Sequence, residues 1–178
     1  DRQLKGEAKM VKVFLVEDES IIRRGIRDNI AWESHGFEFV GEAGDGEYAY
    51  PLLLNTKPDI LITDIKMPFM DGLELSRLVK KSLPKTRIII LSGYNEFEYA
   101  KEAVHLEVEE YILKPVNSVE LTNVFTQLKI KLDQEIGEKR NAESLKKYYM
   151  DSLPLLQANF YATLLEGRIR EEELDRYL

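Results

Sequence analysis

Apolar residues along this chain alternate between short unbroken runs and stretches at helical spacing, five times over, before the pattern thins out. The runs at 11–16 (VKVFLV), 59–63 (DILIT) and 87–91 (RIIIL) are too short for buried helices. They are also rich in β-branched residues, as strands covered on both faces of a parallel sheet are. Residues 37–43 (FEFVGEA) alternate apolar and polar and predict a strand nearer the sheet edge, and 111–113 (YIL) predict a short fifth strand. Between these runs, apolar positions three and four apart predict helices from Ile21 to about Trp32, over 48–55, over 73–83, from Phe97 to Leu106 and from Val119 to Leu132. Strand–helix alternation of this kind predicts an α/β fold, a parallel sheet with helices on both faces.

Two punctuation marks stand out. Pro51 falls inside the second helix, where it removes a donor and crowds the preceding turn, so a late start or a kink is expected. Residues 1–9 (DRQLKGEAK) are polar and aperiodic and are read as a tag remnant or disordered tail, with the first domain at 10–133. From 134 to 178 the chain is charged and helix-prone with sparse apolar positions. A linker helix is expected there, with a break near Pro154 and then a denser stripe (Leu155, Leu156, Phe160, Leu164, Leu165) ending at Gly167. That stripe is too exposed to be stable alone, so a partner or a further domain should cover it.

Composition narrows the classes. The net charge of −7 argues against this segment gripping a phosphate backbone by itself. The chain has no cysteine, which removes disulfides, thiolate nucleophiles and Cys-based zinc sites and fits a reducing compartment. No apolar run approaches the ~20 residues that span a bilayer, and a soluble cytoplasmic protein is the expectation.

The chemistry lies at the strand ends. In a doubly wound sheet, ligands bind outside the carboxyl ends of the strands. The first strand ends in Glu17 and Asp18, the third in Asp64, the fourth in Ser92 and the fifth in Lys114. Three carboxylates, a hydroxyl and an ammonium thus converge on one edge. Clustered carboxylates raise one another's pKa unless a cation neutralises them, and a hard divalent ion such as Mg²⁺ is the natural partner. Mg²⁺ beside a lysine and a hydroxyl is suited to phosphoryl transfer, with an aspartate as nucleophile.

This ordered set, with Met67-Pro68 and Asp71-Gly72 behind Asp64, Ser92-Gly93, and Tyr111 ahead of Lys114-Pro115, resembles the receiver domain of two-component response regulators. The resemblance covers Met10 to about Leu132 and implies a flavodoxin-like sheet of strand order 2-1-3-4-5. It further implies Asp64 as phospho-acceptor and Asp18 and Asp64 as Mg²⁺ ligands, with Glu17 a ligand through water and Lys66 through its backbone carbonyl. Lys114 would contact the phosphoryl group, Ser92 would move to hydrogen-bond it, and Tyr111 would follow as the switch aromatic. Residues 92–100 (SGYNEFEYA) are similar to the YesN-like subgroup, whose receivers are joined to an AraC-type DNA-binding domain. The implied partners are a sensor histidine kinase and, through a domain absent from this chain, DNA. Homodimerisation through the receiver face or the linker helix is a further expectation. Glu107 stands where the family has Gly, so the turn before the fifth strand is expected to be altered or the fourth helix longer.

Taken singly, these residues have plainer roles. Asp18 and Ser20 could cap the first helix and Asp71 the third, Tyr111 could be core, and His35 and His105 read as a loop and a helix-surface histidine. Their joint fall on one edge is what those roles do not explain. A Mg²⁺-dependent phosphohydrolase is disfavoured because Lys66 occupies the position two after Asp64 where such enzymes carry a second carboxylate. A receiver-like scaffold without phospho-acceptance is the other alternative. A mononucleotide-binding protein is weaker, since no Gly-rich loop follows the first strand.

Overall fold

The structure, a computed structural model, describes residues 9–93 and 97–165. Five strands, β1 (Val11–Val16), β2 (Phe37–Ala43), β3 (Ile60–Asp64), β4 (Arg87–Ser92) and β5 (Glu110–Leu113), form one sheet in the order β2-β1-β3-β4-β5. Among the described residues every strand pairing is parallel. The helices are α1 (Ser20–Asn29), α2 (Gly46–Thr56), α3 (Gly72–Ser82), α4 (Phe97–His105) and α5 (Ser118–Leu165). The α/β reading and the 2-1-3-4-5 order are therefore observed. Residues 1–8, Tyr94, Asn95, Glu96 and the end of the chain from Glu166 lie outside the described residues, and with them the tail reading, part of the 92–100 motif and Gly167.

All five residues of β3 are buried, as expected of the central strand in a sheet covered on both faces. Leu61 and Ile65 pack with Phe14, Val16, Leu73 and Val79 in one core. In β2 the pairing to β1 shifts between Val13 and Phe14, where Gly41 stands opposite Phe14. A Cβ at residue 41 would sit 2.6 Å from the Phe14 ring, so glycine makes room for that ring in the sheet.

Several local expectations need correction. The first helix ends at Asn29, short of Trp32, because Ile30 adopts an extended backbone. Trp32 instead opens a short 3-10 turn (Glu33–His35), where its ring packs against Phe37, Phe39 and Phe125. Gly36 closes that turn at φ +83°, a conformation glycine takes without strain. The second helix does not start late. It begins at Gly46, capped by the Asp45 carboxylate on Tyr48 N–H at 2.7 Å, and runs through Pro51. Pro51 is exposed and removes the donor to the carbonyl of Glu47, itself exposed, so water can replace the bond. Glu107 does not lengthen α4. It adopts the left-handed conformation itself (φ 55°), and its carbonyl accepts from Lys80 Nζ at 3.2 Å.

The chain divides into two compact units between Lys129 and Ile130. The opening turns of α5 belong to the first, where Leu121, Phe125 and Leu128 are buried. In the second, helix is unbroken through Pro154, so the expected break is absent. The Met150 carbonyl that Pro154 leaves without a donor sits on an exposed residue, where solvent satisfies it. Leu145, Tyr148, Tyr149, Met150, Leu155 and Tyr161 are exposed along this stretch, whereas the side chains of Leu156, Phe160, Leu164 and Leu165 lie outside the described set. No helix of the described residues is long and apolar enough to cross a membrane.

Candidate functional site

Strand ends bring the reactive groups together. The parallel register sets Asp64 opposite Leu91, one residue before Ser92, and Ser92 opposite Leu113, one residue before Lys114. Lys114 Nζ lies 3.0 Å from Asp64 Oδ2 and 3.0 Å from Glu17 Oε2, and donates to Glu17 Oε1 at 3.3 Å. Oxygens of Glu17, Asp18 and Asp64 all lie within 4.8 Å of one another. Glu17 is fully buried and Asp64 is 5% exposed, whereas Asp18 is open to solvent.

Local structure holds each carboxylate in place. The Ile65 backbone N–H donates to Asp64 Oδ1 at 2.8 Å and the Glu19 N–H to Glu17 Oε1 at 3.2 Å. Arg23, one turn into α1, donates from Nη1 to the Glu17 carbonyl at 2.6 Å. The loop after β3 is closed at its base by Gly72 N–H to Ile65 carbonyl, 2.8 Å. A Cβ at residue 72 would overlap the Asp64 carbonyl oxygen and stand 2.8 Å from its carbon, so only glycine fits. Asp71 then caps α3 by accepting from Glu74 N–H at 2.8 Å. Its plainer role is thus the one observed. Glu19 rather than Asp18 or Ser20 occupies the N-cap of α1, without a side-chain cap bond, so capping does not account for Asp18.

Burial dominates the electrostatics. It raises the Glu17 carboxyl to about 7, helped by the neighbouring charge of Asp64 and opposed by Lys114 and the Glu19 N–H. Asp64 is also raised by burial, against the hydrogen bond and charge of Lys114 and the Ile65 N–H. Burial acts to lower Lys114, but Asp64 and Glu17 outweigh it and hold the ammonium above its ordinary range. Of the three carboxylates only Glu17 and Asp64 share the bridging ammonium, and Glu17 Oε2, though close to Lys114, has no hydrogen-bond partner among the described residues. An all-oxygen, net-anionic pocket with an under-satisfied buried oxygen fits a hard divalent cation.

The remaining expected residues line the same edge. Ser92 is buried and its Oγ donates to the Gly93 carbonyl at 3.2 Å. Tyr111 is half-buried beside Ile90, with a buried hydroxyl that has no hydrogen-bond partner among the described residues. Lys66 stands two residues after Asp64 with an exposed side chain. The Lys114–Pro115 bond is cis, and the Lys114 N–H donates to the Ser92 carbonyl at 2.7 Å. His35 and His105 are both exposed and outside the site. Sequence reasoning missed Arg23 and the steric demand at Gly72. Arg23 lies one helical turn beyond the acidic run, which was the available signal for the former.

Known proteins are similar to this chain in sequence and fold. The profile of the response regulator receiver domain matches residues 13–126. The transcriptional regulatory protein YesN of Bacillus subtilis is 39% identical over 160 residues, covering 90% of this chain and 42% of YesN. HptR of Staphylococcus aureus is 31% identical, covering 91% of this chain and 64% of that protein. The chain thus spans about half the length of these relatives. Among solved structures, the REC domain of the response regulator AraT from Geobacillus stearothermophilus aligns with a TM-score of 0.68 at 44% identity, over 71% of this chain and 98% of that one. A two-component AraC regulator from Clostridium phytofermentans aligns at 0.63 and 30% identity, over 72% and 98%. With its five-stranded parallel fold and its acidic edge, this chain belongs to the response regulator receiver domain family of two-component signalling, alongside YesN.

Proposed function

We propose that Asp64 accepts a phosphoryl group from the phosphohistidine of a sensor histidine kinase and that this modification is the input to a transcriptional output. The carrying observation is the geometry at Asp64, a nearly buried carboxylate fixed by the Ile65 N–H and bridged by Lys114 to Glu17. In the transfer the Asp64 carboxylate attacks phosphorus, an O–P bond forms, the N–P bond of the donor breaks, and the imidazole nitrogen leaves with the electron pair. Lys114 would compensate charge on the phosphoryl oxygens. Glu17, Asp18, Asp64 and the Lys66 backbone carbonyl would hold Mg²⁺, which supplies further charge compensation for those oxygens when bound.

The new dianion calls for donors, and Ser92 and Lys114 are the nearest candidates on neighbouring strands. Movement of Ser92 would free space for Tyr111, whose hydroxyl has no hydrogen-bond partner among the described residues to hold its ring. The 134–178 segment would pass that change to an AraC-type DNA-binding domain, in keeping with relatives named as transcriptional regulators. The domain boundary at 133 and the cytoplasmic setting belong to this reading. Intact mass after incubation with acetyl phosphate tests it. A Mg²⁺-dependent gain of one phosphoryl group, absent in Asp64→Ala, is expected, and no gain on the folded protein would leave a scaffold.

A further inference from the structure

We propose that Phe69 is a docking and specificity residue for the protein that delivers the phosphoryl group, an inference that rests on the phospho-acceptor reading of Asp64. Phe69 has φ +69°. This left-handed conformation is strained for a side chain of its size and is ordinarily filled by Gly or Asn. Packing offsets little of that strain, because the residue is 84% exposed. Its loop neighbours behave differently: Met67 and Met70 turn onto the core. The loop therefore spends its apolar anchoring on the two methionines and holds the phenyl ring out in water.

Position makes the exposure useful. The loop closes at its base by the Gly72 to Ile65 bond, directly after Asp64, so residues 66–71 must run out and back. Three residues at ~3.3 Å each put the tip within about 10 Å of that closure. Ile21, in the first turn of α1 after the Glu17-Asp18 pair, is 85% exposed at the same carboxyl edge of the sheet.

The occupant is a protein. Asp64 is 5% exposed, so a histidine side chain that reaches it brings its parent surface over the rim where Phe69 stands. A small N–P or acyl phosphate brings no such surface with it. The exposed ring is open to a partner, and aromatic anchors of this kind carry much of the energy of protein contacts. Strained residues of this kind cluster at functional sites.

The test compares two donors on wild type, Phe69→Asn and Phe69→Tyr. One donor is phosphoimidazole. The other is an autophosphorylated histidine-kinase fragment, chosen from the source organism's kinases as the fastest on wild type. For Phe69→Asn the kinase kcat/KM should fall by ~10-fold or more, the size expected for a lost aromatic anchor. Labelling by phosphoimidazole should stay unchanged, Tm should not fall, and Phe69→Tyr should keep the kinase rate. An unchanged kinase rate in Phe69→Asn would make the residue a bystander and overturn the proposal. Equal losses with both donors would also overturn it, leaving Phe69 a support for the loop. So would a wild-type protein that no kinase labels faster than phosphoimidazole. If neither donor labels wild type, the phospho-acceptor reading itself falls, and the docking role with it.

Discussion

Lys114 Nζ stands 3.0 Å from both Asp64 and Glu17, so one ammonium from the end of β5 ties together the ends of β3 and β1. Its removal leaves two buried carboxylates facing each other.

Lys114→Met should therefore destabilise the metal-free protein at pH 7. Breaking a buried pair costs ~3–5 kcal/mol, reduced here to about 1–3 because the lysine is partly solvated. Urea unfolding at pH 7 and pH 5 checks this, and the deficit should shrink at the lower pH as the carboxyls take up protons. Labelling by acetyl phosphate should fall by at least ~10-fold, the usual penalty for losing a charge-stabilising donor.

Glu17 reverses the usual pH trend of a carboxylate. Its folded value of about 7 lies above the ordinary 4.5, so the folded state holds the proton more tightly than the unfolded chain. Its contribution to stability is thus full below about pH 4.5 and lost as pH rises to about 7. At ~1.4 kcal/mol per pH unit the loss is at most roughly 3 kcal/mol. Urea midpoints between pH 4.5 and 7.5 should show the decline in EDTA, a smaller one in saturating Mg²⁺, and a flatter profile in Glu17→Gln.

Gly72→Ala should cost more than an ordinary helix-start substitution. The added methyl collides with backbone at Asp64 rather than with a movable side chain, and overpacking of this kind costs about 1–3 kcal/mol or more. Thermal unfolding should register the loss, and the labelling rate should fall with it as the Asp64 backbone shifts. An unchanged Tm would show that the loop absorbs the methyl.

Asp71→Ala separates capping from chemistry. Loss of the bond to the Glu74 N–H should lower stability by ~1 kcal/mol. The acetyl phosphate labelling rate should not change. A labelling defect in a stably folded Asp71→Ala would place this carboxylate in the acidic pocket instead.

The sheet and the acidic edge were legible because buried parallel strands leave unbroken apolar runs, and each run stops where its reactive residue begins. Val11–Val16 coincides with its expected span for that reason, and Phe37–Ala43 does so because its apolar–polar alternation marks a strand nearer the edge. Helix ends were less legible. Trp32 fits the spacing of α1, yet its ring is claimed by Phe37 and Phe39 of the next strand and by Phe125 from the far end of the domain. Pro51 and Pro154 carry a local rule that solvent overrides when the orphaned carbonyl is exposed. Glu107 and Phe69 both take left-handed backbones that residue type argues against, and the turns around them decide the matter. The collision awaiting a Cβ at residue 72 was visible only once β3 and its loop were folded.

Trp32 is the chain's single tryptophan, and its indole lies 5.2 Å, centroid to centroid, from Phe125 in the opening turns of α5. Its Nε1–H is held by the Arg27 carbonyl at 2.9 Å, which fixes one side of the contact. The protein therefore carries its own optical probe. Any shift at the root of α5 changes the surroundings of one fluorophore, and emission from an unlabelled sample reports it in real time.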